Sequence, residues 1–177
     1  YNLRVFNIKL NEMNGGSIRF FITHINSIYK KKTKNINSIL KIEKKYFINL
    51  QKNLIKFRKN INNSKKQLKQ LINKKIKEKK KIHLYGASTK GNIILQFCGI
   101  KQNQIEFAAD RNYEKWGRET PGSKIPIISE KKSRLKNPDY YLVMPWHFKK
   151  EILQREKNFI KKGGKLIFPL PKLHIVS

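Results

Sequence analysis

Apolar residues keep three different rhythms along these 177 residues. In residues 1–25, Val5 to Leu10 and Ser17 to Ile25 are rich in β-branched and aromatic side chains with partial alternation, the two-residue period of a strand. Between them, Asn11-Glu12-Met13-Asn14-Gly15-Gly16 reads as a turn, because the paired glycines reach positive φ without a steric penalty. The segment is expected to be a β-hairpin. A lone hairpin is marginal in water, so it should edge a sheet whose other strands lie outside these residues. Residues 26–37 are polar and rich in Lys and Asn, the texture of a linker. Phe47, Leu50, Leu54, Phe57, Ile61, Leu68 and Leu71 then draw one apolar stripe down a helix, interrupted only at Ser64. Running from about 43 to 78, this helix would reach about 50 Å at 1.5 Å per residue. It cannot bury that stripe alone. A helix connecting domains is favoured over a coiled coil, whose flanking acidic partners are missing.

From Lys81 the rhythm changes again. Ile82-His83-Leu84-Tyr85 reads as a short buried strand, followed by a loop at Gly86–Asn92 and an apolar helix to Phe97. A second strand is predicted at Ile105–Ala109, ending at Asp110, and a third at Tyr140–Met144, closed by Pro145. A helix is predicted from His147 to Lys162, ended by Gly163-Gly164, before a fourth strand at Lys165–Phe168. Strand and helix alternating through short connections imply a parallel sheet with right-handed crossovers. The predicted fold class is α/β: a Rossmann-like parallel sheet with flanking helices over residues 81–177. Before it come the connecting segment and long helix (26–80) and the hairpin (1–25), read as the remnant of a further domain.

Charge alters this picture less than its size suggests. Lys and Arg number 41 against 11 Asp and Glu, a net charge of +30, which ordinarily points to nucleic acid or an anionic surface. Lys outnumbers Arg 34 to 7, however, whereas base and phosphate recognition favours the Arg fork. Lys, Ile and Asn together supply 77 residues, a bias that A- and T-rich codons produce unaided. A solvated basic surface with nonspecific polyanion binding at low salt is the favoured reading, and a nucleic-acid-binding protein using the Lys-rich helix is the alternative. No run approaches the roughly 20 apolar residues of a membrane span, and no signal-peptide layout opens the chain. Cys98 stands alone, so no internal disulfide or cysteine-based zinc cluster is expected, and a cytoplasmic setting is the default.

Ligands of open α/β sheets bind beyond the carboxyl ends of the strands. Three predicted segments fall there. In the Gly86–Asn92 loop, backbone amides and a helix N-terminus favour an anion, with Ser88, Thr89 and Lys90 adding hydroxyl and ammonium contacts. The competing reading is a tight turn with a capping hydroxyl, since the loop follows neither the dinucleotide nor the Walker pattern. Asp110 closes the second strand where a carboxylate meets a ribose hydroxyl in dinucleotide sites; its alternative is an ion pair with Arg111 or Lys115. Trp116 can stack on a base or sugar, or roof the core. His147 is a candidate acid–base group, or a group that orients the next helix. The four His have no metal-ligand spacing, and no serine nucleophile elbow is present.

Five ordered motifs carry a resemblance. Tyr85–Asn92 is followed by Ala109-Asp110-Arg111-Asn112 with Lys115-Trp116-Gly117, then Ile125-Pro126-Ile127, then Pro145-Trp146-His147-Phe148, then Gly163–Pro171. Together they resemble the C-terminal domain of the three-domain C-methyltransferases that act on nucleotide-linked deoxysugars. Asn14-Gly15-Gly16-Ser17-Ile18-Arg19 is similar to the hairpin motif ending that family's S-adenosylmethionine-binding domain. The resemblance implies a zinc-binding domain, a class I methyltransferase domain, and then a Rossmann-like domain that helps hold the nucleotide-sugar. It also implies removal of a proton beside a keto group and methyl transfer to the resulting carbon, which needs a base within reach and donors near the intermediate.

Two departures follow. The zinc ligands and the Gly-rich cofactor loop are absent, so S-adenosylmethionine is expected to be bound by a missing N-terminal part, with no cofactor in this piece and methyltransferase activity only as part of a longer protein. The His that the family carries before its Gly-Gly-Ser turn, thought to act as base, is here Asn14, and an amide is no useful base near neutral pH. Asn14, Gly15, Gly16 and Ser17 are expected to face the methyl-accepting pocket, Gly86, Ser88, Lys90 and Asn92 to lie near a diphosphate, and Asp110 and Trp116 near the nucleoside, with Thr89 and His147 as further substrate-binding residues. A nicotinamide dehydrogenase is disfavoured by the missing G-x-G-x-x-G.

Overall fold

In a computed structural model describing residues 1–177, the chain forms two compact units, residues 1–59 and 60–177. In the first, strands β1 (Leu3–Asn11) and β2 (Ser17–His24) pair antiparallel, with Leu10 opposite Ile18 and a bulge between Val5 and Asn7. A single 3-10 turn at Met13–Gly15 reverses the chain, with Asn14, Gly15 and Gly16 at φ of 55°, 87° and 121°. Asn11 Oδ1 locks that turn by accepting from Met13 N at 3.0 Å and from Ser17 Oγ at 2.7 Å. Helix α1 (Thr33–Ile48) packs on β1 and buries Ile36. Asn35 Nδ2 donates to Asn7 Oδ1 at 2.8 Å, fixing helix to strand.

This helix begins about ten residues before the predicted start. Ile36 and Ile39, three apart, form a sparse apolar face inside a polar stretch and stabilise helix there. It also stops where no break was predicted: Asn49 leaves helical geometry at φ −116°, ψ 31°, and α2 (Leu50–Lys77) restarts at once.

From Asn60 onward α2 belongs to the second unit, where Leu68 and Ile72 are buried. At about 1.5–3 kcal/mol for each large aliphatic side chain removed from water, these two contribute about 3–6 kcal/mol to holding the helix in that unit. The upper stripe residues Phe47, Leu54 and Phe57 remain exposed.

The rest of the second unit runs β3 (Ile82–Tyr85), α3 (Thr89–Cys98), β4 (Ala108–Asp110), β5 (Ile127–Ser129), α4 (Glu130–Leu135), β6 (Tyr140–Val143), α5 (Lys149–Arg155), α6 (Lys157–Lys161), β7 (Lys165–Phe168) and β8 (His174–Val176). The six strands lie in the order β5-β4-β3-β6-β7-β8, all parallel except β8. The Rossmann-like parallel sheet is therefore present, preceded by the long helix and the hairpin. Three-residue β5 and β8 were too short to read from periodicity, and β4 is shorter than predicted. The helix predicted from His147 to Lys162 divides at Glu156, whose side chain turns inward and is 2% exposed.

Strand alternation sorts the core into two faces. Ile82, Leu84, Tyr140, Leu142 and Ile167 point to one side, with Leu68 and Ile72 of α2 and Leu95 of α3. Tyr85, Tyr141, Val143, Leu166 and Phe168 point to the other, beneath Ile152 of α5 and Phe159 and Ile160 of α6. Because β4 and β6 flank β3 on opposite sides, strand order reverses at β3. The loops leaving β3 and β6 diverge there, which is where such sheets open a crevice.

Candidate functional site

A cleft of about 470 Å³ lies at that crevice, lined by Gly86 and Ser88 after β3, Asp110, Arg111 and Lys115 after β4, Glu130 at the start of α4, Pro145 after β6, and Glu151 and Arg155 of α5. A cavity of about 500 Å³ lies beside Asp139 and Gly164, at the amino ends of β6 and β7. The strand polarity of α/β sheets favours the carboxyl-end cleft as the ligand site.

The amides of Gly86, Ala87, Gly91 and Asn92 after β3 are engaged within the protein. Gly86 N donates to Ala109 O at 2.7 Å, Ala87 N to Asp110 Oδ2 at 2.8 Å, and Asn92 N to Ser88 O at 3.0 Å. Ser88 is the N-cap of α3, its Oγ accepting from Gly91 N at 3.0 Å, so the capping alternative is realised at this residue. The glycines make room for protein. A Cβ on Gly86, which sits at φ +84°, would meet the Pro145 ring at 3.0 Å, and one on Gly91 would meet Met144 Cβ at 2.7 Å. The spaces that a Gly-rich cofactor loop keeps open are thus filled by the chain leaving β6. These residues do not fit an S-adenosylmethionine site.

Asp110 is 8% exposed and takes three donors: Ala87 N and Lys115 Nζ (3.1 Å) on Oδ2, and Asn112 N (2.8 Å) on Oδ1. It forms the ion pair with Lys115 that the sequence offered as an alternative, and it ties the β3 loop to the β4 loop. Lys115 Nζ also donates to Ala87 O at 3.1 Å. Trp116 hangs its indole N–H on Asp110 O at 2.8 Å while leaving 45% of its surface exposed. It also lines a small cleft of about 260 Å³ with Arg118, Ile127 and Lys132.

A buried polar network lies between this cleft and the amino-end cavity, which Arg134, Arg155 and Glu156 line. Tyr85 OH donates to Glu156 Oε1 at 2.9 Å, and Arg134 Nη2 donates to the same oxygen at 2.7 Å. Burial and the Glu156 charge push the Tyr85 phenol well up, so it stays a donor at any physiological pH. Arg155 donates from Nη2 to both oxygens of Glu130 at 3.0 Å and lies 5.6 Å over the Tyr85 ring. Arg111, Glu130 and Arg155 were not selected from sequence as binding groups. The available signal was that Arg is scarce in this chain.

The other sequence-selected residues are distributed as follows. Thr89 and Lys90 stand exposed on the first turn of α3. Asn92 and His147 are half-buried, and Asn92 Oδ1 and His147 Nδ1 are both buried atoms without a hydrogen-bond partner. Burial and the nearby Lys90 charge pull the His147 imidazole below its ordinary value, against a smaller opposing effect of Glu151. His147 is thus neutral near pH 7. It makes no cap to the following turn. Asn14, Gly15, Gly16 and Ser17 are exposed at the hairpin tip of the first unit. No cluster of His, Cys, Asp and Glu could hold a metal ion, and no helix is long and apolar enough to cross a membrane.

Residues 12–171 match the C-methyltransferase C-terminal domain. A 102-residue segment covering 58% of the chain is 38% identical to the C-methyltransferase NovU of Streptomyces niveus, where it accounts for 24% of the length. The chain therefore corresponds to well under two thirds of that relative.

Proposed function

The chain belongs to the C-methyltransferase C-terminal domain family, and we propose that it holds the methyl acceptor, a nucleotide-linked sugar, by its diphosphate in the carboxyl-end cleft. The observation that carries this reading is the convergence of Arg111, Lys115 and Arg155 on one cleft at the point where strand order reverses. Two guanidinium groups and an ammonium suit the geometry and charge of a diphosphate. With the amides of Gly86, Ala87, Gly91 and Asn92 occupied, anion recognition rests chiefly on these side chains, and Gly86 and Ser88 shape the wall.

Asp110 fixes Lys115 and the two loops, and Trp116 offers a half-exposed ring for the nucleoside. Thr89, Lys90, Asn92 and His147 do not line this cleft, and the unpartnered Asn92 Oδ1 and His147 Nδ1 are buried, so they carry no part of the diphosphate reading. Asn14, which stands in the first unit where the family carries a His, would serve as a hydrogen-bonding group and not as a base. S-adenosylmethionine would be held outside residues 1–177, with methyl transfer carried out by the complete enzyme in the cytoplasm.

Calorimetric titration of nucleoside-diphosphate sugars tests the assignment. Arg111→Gln and Lys115→Ala should each weaken binding about 10-fold or more, the worth of a charge-assisted hydrogen bond, and Lys90→Ala less. Affinity unchanged in all three variants would remove the diphosphate site.

A further inference from the structure

Arg155 and Glu130 face each other in the cleft wall, and we propose that Arg155 is an exchangeable arginine that leaves Glu130 for the ligand's diphosphate while Arg134 stays beside Glu130 as its remaining cation. The inference rests on the reading of this cleft as a diphosphate site and assigns the residue that closes it.

Four observations point the same way. A guanidinium has five N–H donors, yet Arg155 bonds Glu130 through Nη2 alone. Glu130 keeps a second cation in reach, since Arg134 Nη1 lies 3.6 Å from its Oε2, so departure of Arg155 leaves Glu130 beside a guanidinium that it then shares with Glu156. Arg134 is itself anchored by the 2.7 Å bond to Glu156, which is 2% exposed and fixed again by Tyr85. The remaining half of the network therefore has a firm foundation. The Arg155 side chain, by contrast, is 36% exposed, and the Tyr85 ring 5.6 Å beneath it offers a face along which the cation can shift without losing its support.

The chemistry favours transfer toward a diphosphate. A single nitrogen shared between two carboxylate oxygens uses little of the fork, whereas phosphate oxygens can take two parallel N–H bonds from it. Glu130 is then a built-in competitor that holds Arg155 in reach and screens it from weaker anions.

The test titrates inorganic pyrophosphate into the full chain. Glu130→Gln removes the competitor and should tighten binding up to about fivefold, the upper worth of a partly exposed ion pair. Arg155→Gln should weaken it about 10–100-fold, as expected for lost charged hydrogen bonds. The decisive measurement is Glu130→Gln placed on Arg155→Gln: with no arginine to release, the gain should vanish. An equal gain in both backgrounds would show that Glu130 merely repels the anion, and would overturn the exchange. Should Arg155→Gln fail to fold, Arg155→Lys keeps the charge but loses the fork, and an affinity equal to wild type would likewise overturn it. Pyrophosphate binding that responds to Arg111→Gln but to neither Arg155 variant sinks the exchange alone. A wild-type chain that binds no pyrophosphate sinks the diphosphate site and the exchange with it.

Discussion

Asp110→Asn separates a structural clamp from a ligand contact at the position where sequence logic expects a ribose hydroxyl. The carboxylate takes two donors on Oδ2 and one on Oδ1 at 2.8–3.1 Å while only 8% exposed. An amide can present its oxygen to one side only. Turned toward Ala87 N and Lys115, it aims its NH₂ at the Asn112 N–H, and one donor faces another at a part-buried position. An orphaned buried donor costs about 1–3 kcal/mol. Losing the charge opposite Lys115, whose side chain is 39% exposed, adds only about 0–1 kcal/mol because solvent screens the pair. The sum is about 1–4 kcal/mol, which for a unit of this size lowers the melting temperature by about 4–16 °C. Circular dichroism during heating and urea denaturation measures both quantities. A variant within about 0.5 kcal/mol of wild type that nevertheless loses nucleotide-sugar affinity would refute the clamp and restore Asp110 as a direct ligand contact.

Gly86→Ala should destabilise by about 2–3 kcal/mol, combining a left-handed backbone at φ +84° with a new Cβ 3.0 Å from the Pro145 ring; an unchanged urea midpoint would contradict the packing role. His83 is fully buried, its Nδ1 2.8 Å from Ser133 Oγ and its Nε2 3.5 Å from Glu106 without a hydrogen bond. Burial holds its imidazole below the ordinary value despite Glu106, so the unfolded chain binds the proton more readily. Stability is therefore full above about pH 6.5 and falls as pH drops below it toward the folded value. Urea midpoints at pH 7.5 and 5.0 should differ in wild type and converge in His83→Gln; equal slopes would dismiss the coupling. Binding to heparin or duplex DNA should collapse by about 200 mM salt, as counterion release dictates for a diffuse basic surface. Affinity that persists there would favour a nucleic-acid function for α2.

Legibility in the sequence followed burial and length. β3, β6 and β7 are each almost wholly buried, so their four-residue apolar runs stand out. β5 and β8 have three residues each at the sheet edges, where a run shorter than two periods carries no pattern. α1 was masked by its Lys and Asn content, because Ile36 and Ile39 need only one face. At the site, Ser88, Asp110 and Trp116 were recognisable because motif and strand end coincide. The use of their polar groups was not: whether a Ser Oγ caps an amide or meets a phosphate depends on where Gly91 N lies, a distance that one-dimensional spacing does not contain. Arg155 and Glu130 are 25 residues apart on separate helices, and only the sheet brings them together.

The distribution of the rarer charged residues argues that the cleft is more than one part of a basic surface. Lys is abundant throughout, and a solvated surface accepts it anywhere. Arg occurs seven times in 177 residues, and Arg111 and Arg155 line this cleft while Arg134 pairs with Glu130 in its wall. Acids are equally scarce at 11, yet Asp110, Glu130 and Glu151 line the same cleft. Two of these three carboxylates hold cations, Asp110 fixing Lys115 and Glu130 fixing Arg155. Lys cannot reproduce a planar fork, and a surface needing only positive charge has no use for carboxylates that neutralise it. Held cations cost net charge and gain direction, which suits recognition of one anion of defined shape. Diffuse attraction explains the long helix; it does not explain why forks and their anchoring acids gather where β3, β4 and β6 end.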